Sequence, residues 1–170
     1  MKQRTLGNTG LKVSELSLGG GQFYGGSTVE QVQDVVRAAF SAGINYIDTA
    51  PGYGDSERLL GQALANVAHP HIISTKLGGY PQPFEPRDPQ ALRTSVKHSL
   101  QLLGRDYVDI LMIHEPDRPR QYDWWTDLEN FTGPVLEVME QLKTEGVVRF
   151  TGLGGDYCLC NGSHHQYRQI

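Results

Sequence analysis

The first 157 residues of this chain of 170 contain no cysteine. No disulfide framework can therefore hold the fold. Long apolar runs are missing too. No stretch approaches the roughly 20 apolar residues that span a bilayer, so a membrane partner is not expected. The opening decapeptide, MKQRTLGNTG, has no apolar core of a secretory signal. Basic clusters are also lacking, and the formal net charge is −4, which argues against a nucleic-acid partner. No low-complexity segment occurs and 20% of residues are charged, so wholesale disorder is excluded. These absences describe a mildly acidic globular chain, expected in the cytoplasm.

Glycine is what the chain has in excess, with 20 residues. Many of them end periodic segments. Asn8-Thr9-Gly10 marks the turn of an N-terminal β-hairpin, and Ser14–Gly19 reads as the first strand of the main fold. Ser27–Ala42 reads as a helix, with Ser27 and Glu30 at capping-box spacing and Gly43 just past its end. Ile44–Asp48 is the second strand and Ser56–Asn66 the second helix; His71–Lys76 is the third strand. The third helix begins at Asp88-Pro89, a cap followed by proline at the first helical position, and stops at Gly104. Tyr107–Ile113 is the fourth strand, Pro134–Glu145 the fourth helix and Val147–Leu153 the fifth strand.

Strands and helices thus alternate, with strand starts roughly 30 residues apart, the size of a βα unit. The strands are short apolar runs, as parallel strands covered on both faces should be. The class is α/β, either doubly wound or a (β/α)8 barrel. A dinucleotide fingerprint is missing: Gly19–Gly26 reads GGGQFYGG, which does not fit GxGxxG.

Four polar residues fall at or just beyond strand ends. Asp48 ends the second strand, Tyr53 follows in its loop, Lys76 ends the third and His114 follows the fourth. In a parallel α/β fold these ends converge on one face. Each residue has a plain alternative: a cap, a loop aromatic, a rim ion pair, a half-buried histidine. Together they make chemical sense. A tyrosine hydroxyl can hand a proton to an oxygen on which negative charge develops. An ammonium beside it favours the phenolate. An aspartate paired with that lysine keeps it charged and oriented, and a histidine can hydrogen-bond a carbonyl oxygen. Hydride transfer to a carbonyl makes these demands. A Schiff-base role for Lys76 is a further alternative.

These motifs resemble the N-terminal part of the aldo-keto reductase family. RTLGNTGLKVSELSLGGG (Arg4–Gly21) is similar to its opening hairpin and first strand. NYIDTAPGYGDSERLLGQAL (Asn45–Leu64), ISTKLG (Ile73–Gly78) and YVDILMIHEPD (Tyr107–Asp117) are similar to its segments bearing Asp, Tyr, Lys and His. The resemblance runs from Arg4 to about Gly155. It implies a TIM (β/α)8 barrel, here a partial one of about five strands and four helices after a hairpin. It implies a catalytic tetrad of Asp48, Tyr53, Lys76 and His114, with Tyr53 as general acid-base. The implied cofactor is NADPH, less often NADH, and the implied substrate is a small carbonyl compound: an aldehyde, a ketone or a sugar-type carbonyl. Gly20, Gly21 and Asp48 fall where the family meets the nicotinamide end of the cofactor. A tight turn is the plain alternative for the two glycines. The family's other cofactor-holding residues lie beyond the fifth strand.

Family barrels run to about 250 residues, so residues 1–155 are read as a partial barrel. Residues 156–170 (DYCLCNGSHHQYRQI) have neither helical stripe nor strand alternation and are read as an atypical tail, as if translated out of frame. Cys158, Cys160, His164 and His165 are metal-ligand types, but a C-x-C spacing without supporting context does not make a metal site. A partial barrel leaves its first and fifth strands as edges and its inner face short of partners, so self-association through those edges is expected. A non-catalytic fragment that pairs with another chain is the alternative reading. The loop Glu115–Thr132 carries Tyr122, Trp124 and Trp125, which either wall a substrate pocket or pack as surface aromatics.

Overall fold

The computed structural model describes residues 1–155, apart from Tyr24 and Pro119. The tail residues Cys158, Cys160, His164 and His165 lie outside the described residues. Strands β1 (Gln3–Thr5) and β2 (Lys12–Ser14) form an antiparallel hairpin. A five-stranded parallel sheet follows in the order β3 (Leu18–Gly19), β4 (Tyr46–Asp48), β5 (Ile72–Leu77), β6 (Val108–His114) and β7 (Val148–Gly154). Helices α1 (Val29–Ser41), α2 (Ser56–Leu64), α3 (Pro89–Leu103) and α4 (Pro134–Thr144) connect consecutive strands. The segment Ser14–Gly19, expected as one strand, divides: Ser14 closes the hairpin and only Leu18–Gly19 joins the sheet.

Local chemistry sets the helix ends. Asp88 caps α3 through the amides of Gln90 and Ala91, Pro89 follows, and Gly104 ends the helix in the left-handed conformation. In α1 the cap is Thr28, not Ser27. Thr28 accepts from the Gln31 amide, and the Gln31 side chain returns to the Thr28 amide. Two overlapping pairs, Ser27/Glu30 and Thr28/Gln31, satisfy the same spacing, and the structure uses the second.

Alternate residues of the strands separate two environments. Ile73, Leu77, Leu111 and Ile113 face the helices and join Val36, Leu60, Leu92, Val96 and Val138 in the main core. Each such side chain contributes about 1.5–3 kcal/mol on burial. Gly61 lets α2 and α3 meet, because a Cβ there would run into the backbone of Leu102 and Leu103. On the other face, Ile72 and Ile110 pack against Leu11 and Val13 of the hairpin region. The inner face is therefore not bare at its N-terminal end: the hairpin covers it. Asn45 fastens the hairpin, accepting from the Ser14 amide at 2.8 Å and donating to the Lys12 carbonyl at 2.8 Å. Polar residues occupy the opposite, C-terminal end of that face.

Candidate functional site

Strand register assembles the site. Asp48 lies opposite Ser74 on β5, and Lys76, two residues on, shares the face of Ser74. Lys76 Nζ donates to Asp48 Oδ2 at 2.7 Å and to the Thr49 carbonyl at 2.9 Å. The lysine side chain is only 7% exposed, so these oxygens stand in for water around its ammonium. Ser74 Oγ donates to the other aspartate oxygen at 2.5 Å. Tyr53 comes from the loop between β4 and α2, and its ring lies 4.9 Å from Lys76 Nζ. His114, the last residue of β6, meets Tyr53 edge-on, with 5.8 Å between ring centroids.

The four residues singled out in the sequence thus converge at the C-terminal end of the sheet. Tyr53, Lys76 and His114 border one cavity of about 300 Å³, together with Glu115, Gln121, Tyr122 and the backbone of Gly52 and Gly154, while Asp48 reaches it only through its bond to Lys76. Glu115 turns the chain at the end of β6 in the left-handed region (φ 47°), and its amide donates to the Gly154 carbonyl at 2.7 Å. Its carboxylate pairs with Arg118 at 2.7 Å.

The loop aromatics separate by role. Trp124 and Trp125 are buried, and their indole N–H groups donate to the carbonyls of His114 and Pro116. They are packing residues that fix the loop to the end of β6. Tyr122 alone of the three lines the cavity. Its ring stacks on His114 with centroids 6.0 Å apart and planes 25° apart. Burial pushes the Tyr122 phenol above its usual value, the Glu115 charge adds to this, and a hydrogen bond with Gln121 opposes it.

Gly20 and Gly21 form a short 3-10 turn after β3. A Cβ at Gly20 would lie 2.5 Å from Ser56 Oγ, so packing of the turn on α2 accounts for that glycine. Gly21 faces only the Tyr53 ring, which a Cβ at that position would meet at 3.8 Å.

Sequence reasoning missed two residues of this region. Ser74 could have been found from its place two residues before Lys76, which puts both on one face of the strand. Glu57 carried no such signal. It looks like a first-turn acid of α2 on a solvent face, yet it is 1% exposed beneath the site and accepts from Thr75 Oγ1 at 2.6 Å. Burial raises its carboxyl above the usual value; the bond from Thr75, the neighbouring Ser99 hydroxyl and the charge of Lys76 oppose the shift. Among the described residues no cluster of His, Cys, Asp and Glu is arranged to hold a metal ion. No helix among them is long and apolar enough to cross a membrane.

Comparison with known proteins gives the arrangement its relatives. L-galactose dehydrogenase of Arabidopsis thaliana is 36% identical over 160 residues, covering 89% of this chain and 48% of that protein. NADH-specific methylglyoxal reductase of Escherichia coli is 34% identical, covering 89% of this chain and 51% of that protein. The chain spans about half the length of these curated relatives. Among solved structures, the holo form of an aldo-keto reductase from Bacillus halodurans superposes with a TM-score of 0.72 at 31% identity, covering 91% of this chain and 50% of that one. A Pseudomonas aeruginosa protein assigned to the same group gives 0.75 at 32% identity, covering 90% and 59%. The sheet and helices are thus part of a TIM barrel. The model of the aldo/keto reductase family matches residues 15–158, a span that includes all five parallel strands and the four converging side chains, and the chain belongs to that family.

Proposed function

We propose that this chain carries the proton-transfer half of an NADPH-dependent carbonyl reductase acting on a small aldehyde, ketone or sugar-type carbonyl. One observation carries the reading: Tyr53, Lys76 and His114 line one polar cavity at the C-terminal end of a parallel sheet, with Asp48 bonded to the lysine. Asp48 and Lys76 form a fixed pair beneath the Tyr53 ring. In this reading Tyr53 hands its hydroxyl proton to the substrate oxygen as negative charge develops there. Lys76 supplies positive charge beside it, and Asp48 with Ser74 keeps the lysine in place. His114 hydrogen-bonds the carbonyl oxygen and orients it.

Family members in general use NADPH or NADH, which supplies hydride to the carbonyl carbon when bound. In this reading Gly21, whose Cβ position would meet the Tyr53 ring at 3.8 Å, takes the nicotinamide end, with Gly20 and Asp48 as the other candidate contacts. In the family the rest of the cofactor is held beyond the fifth strand, and these 170 residues span about half the length of their curated relatives, so on their own they are expected to turn over slowly or not at all. NADPH oxidation with 4-nitrobenzaldehyde tests the reading, first with the chain alone and then with the second half of a homologous barrel added. Turnover in the complemented sample should fall at least ~100-fold in Tyr53→Phe. Turnover that survives Tyr53→Phe overturns the assignment. NADH in place of NADPH ranks the two cofactors.

A second reading rests on the sheet edge. Among the described residues β7 pairs only with β6, and its Leu153 is 38% exposed. A non-catalytic chain that associates through this edge, with itself or another chain, accounts for the same surface.

A further inference from the structure

The cavity has a wall that the four-residue chemistry does not require. Among the described residues six side chains line it, Tyr53, Lys76, His114, Glu115, Gln121 and Tyr122, and each carries a polar atom. None of the lining side chains is aliphatic. Three of the six come from the loop after β6, and Tyr122 is held there by contacts on several sides.

Its seat is a pair of glycines two residues beyond Lys76. Gly78 and Gly79 both take positive φ, 131° and 89°. A Cβ at Gly79 would lie 2.9 Å from the Tyr122 hydroxyl, and one at Gly78 would lie 3.3 Å from the ring. Any other residue here is strained, and its side chain displaces the phenol. Phe84 meets Tyr122 edge-on at 6.1 Å, and Trp124 tilts against it at 5.3 Å. Arg87 clamps the two loops, donating to the Asp123 and Trp125 carbonyls. The phenol is thus placed by two interlocked loops and lies against His114.

We infer that Tyr122, seated in the Gly78–Gly79 socket, is a specificity-determining residue that selects small hydroxylated carbonyl compounds by hydrogen-bonding a hydroxyl next to the carbonyl group. This rests on the carbonyl-binding reading of the same cavity. A neutral phenol both donates and accepts, and Gln121 beside it does the same through its amide. The two already bond each other, and a substrate hydroxyl takes up the donor or acceptor position that this pair leaves over; a substrate without the hydroxyl makes no such bond and binds more weakly.

Two ketones with one skeleton test this. Dihydroxyacetone and 3-pentanone have the same arrangement of non-hydrogen atoms, with hydroxyls in the first where the second has methyls. The purified chain is titrated with each and followed by saturation-transfer NMR. Dihydroxyacetone should bind about tenfold more tightly, the worth of one such hydrogen bond. Tyr122→Phe should lose most of that preference and leave 3-pentanone affinity within about twofold, since the ring and its stacking remain. A merely structural role for Tyr122 would change both ketones alike. Gly79→Ala, which displaces the phenol, should act as Tyr122→Phe does; circular dichroism shows whether it folds, and Tyr122→Phe decides alone where it does not. Equal affinity for the two ketones, a preference that survives Tyr122→Phe, or no saturable binding of either overturns the inference. Lost preference with intact NADPH turnover rejects the selection alone. Intact preference with no turnover in the complemented barrel rejects the reductase reading alone.

Discussion

Two hollows lie back to back across the same pair of strands. The first is the polar cavity, reached by His114 and Gly154 at the ends of β6 and β7. The second is a groove between β7 and α4, lined by Ile113, Leu136, Met139 and Leu153. Ile113 and His114 are neighbours in sequence, as are Leu153 and Gly154. The two-residue period of a strand sends one of each pair to chemistry and the other to packing. A single peptide step therefore separates a place where a lost methyl group is felt from a place where a lost charge is felt.

The sharpest way to break this contrast is to alter the apolar partner. Ile113 is 1% exposed, and Ile113→Ala should cost about 3 kcal/mol in urea unfolding. Ketone selectivity of the folded fraction should stay unchanged, because the side chain points away from the cavity. The reverse experiment is Lys76→Met. It strips Asp48 of its ammonium while Ser74 still bonds the carboxylate, and Asp48 keeps some water contact at 26% exposure. The expected cost is about 2 kcal/mol, with turnover of the complemented barrel abolished.

Glu57→Gln probes the helix-facing side of β5, one residue from Lys76. Burial raises the Glu57 carboxyl in the folded chain. Its contribution to stability is therefore full below the unfolded-state value near 4.5 and is lost as pH rises. Glutamine does not titrate and can still accept from Thr75. The variant should gain on the parent as pH rises above 4.5 in thermal melts; parallel curves would show that Glu57 does not titrate differently on folding. The smallest effect belongs to Leu153→Lys at the exposed lip of the groove. Monomer stability should move by no more than about 0.5 kcal/mol. Any self-association seen in sedimentation velocity should weaken, because an edge lysine opposes strand addition.

Much of this arrangement was legible in the sequence, for reasons that differ by residue. The ends of α3 could be read because Asp88, Pro89 and Gly104 each act through their own backbone. The four converging side chains could be placed because strand ends in a parallel sheet point one way. The first turn of α1 could not be fixed, since adjacent hydroxyl residues offered the same cap. Glu57 was hidden because its role depends on Thr75 and Ser99, far along the chain. The socket at Gly78–Gly79 was hidden likewise: two glycines after a strand look like a turn until Tyr122, more than forty residues on, is seen resting against them. Trp124 and Trp125 could be named as pocket or packing only once their indole groups were seen bonded to backbone carbonyls.

Those two buried indoles are the only tryptophans in the chain. One is bonded to the carbonyl of His114 itself and lies against Tyr122. Indoles shielded from water emit at the blue end of their range, and that emission overlaps the absorption band of reduced nicotinamide. The loop that walls the cavity therefore carries its own optical reporter: binding of the proposed nicotinamide cofactor would be read as quenched tryptophan light, without a label and without waiting for a reaction.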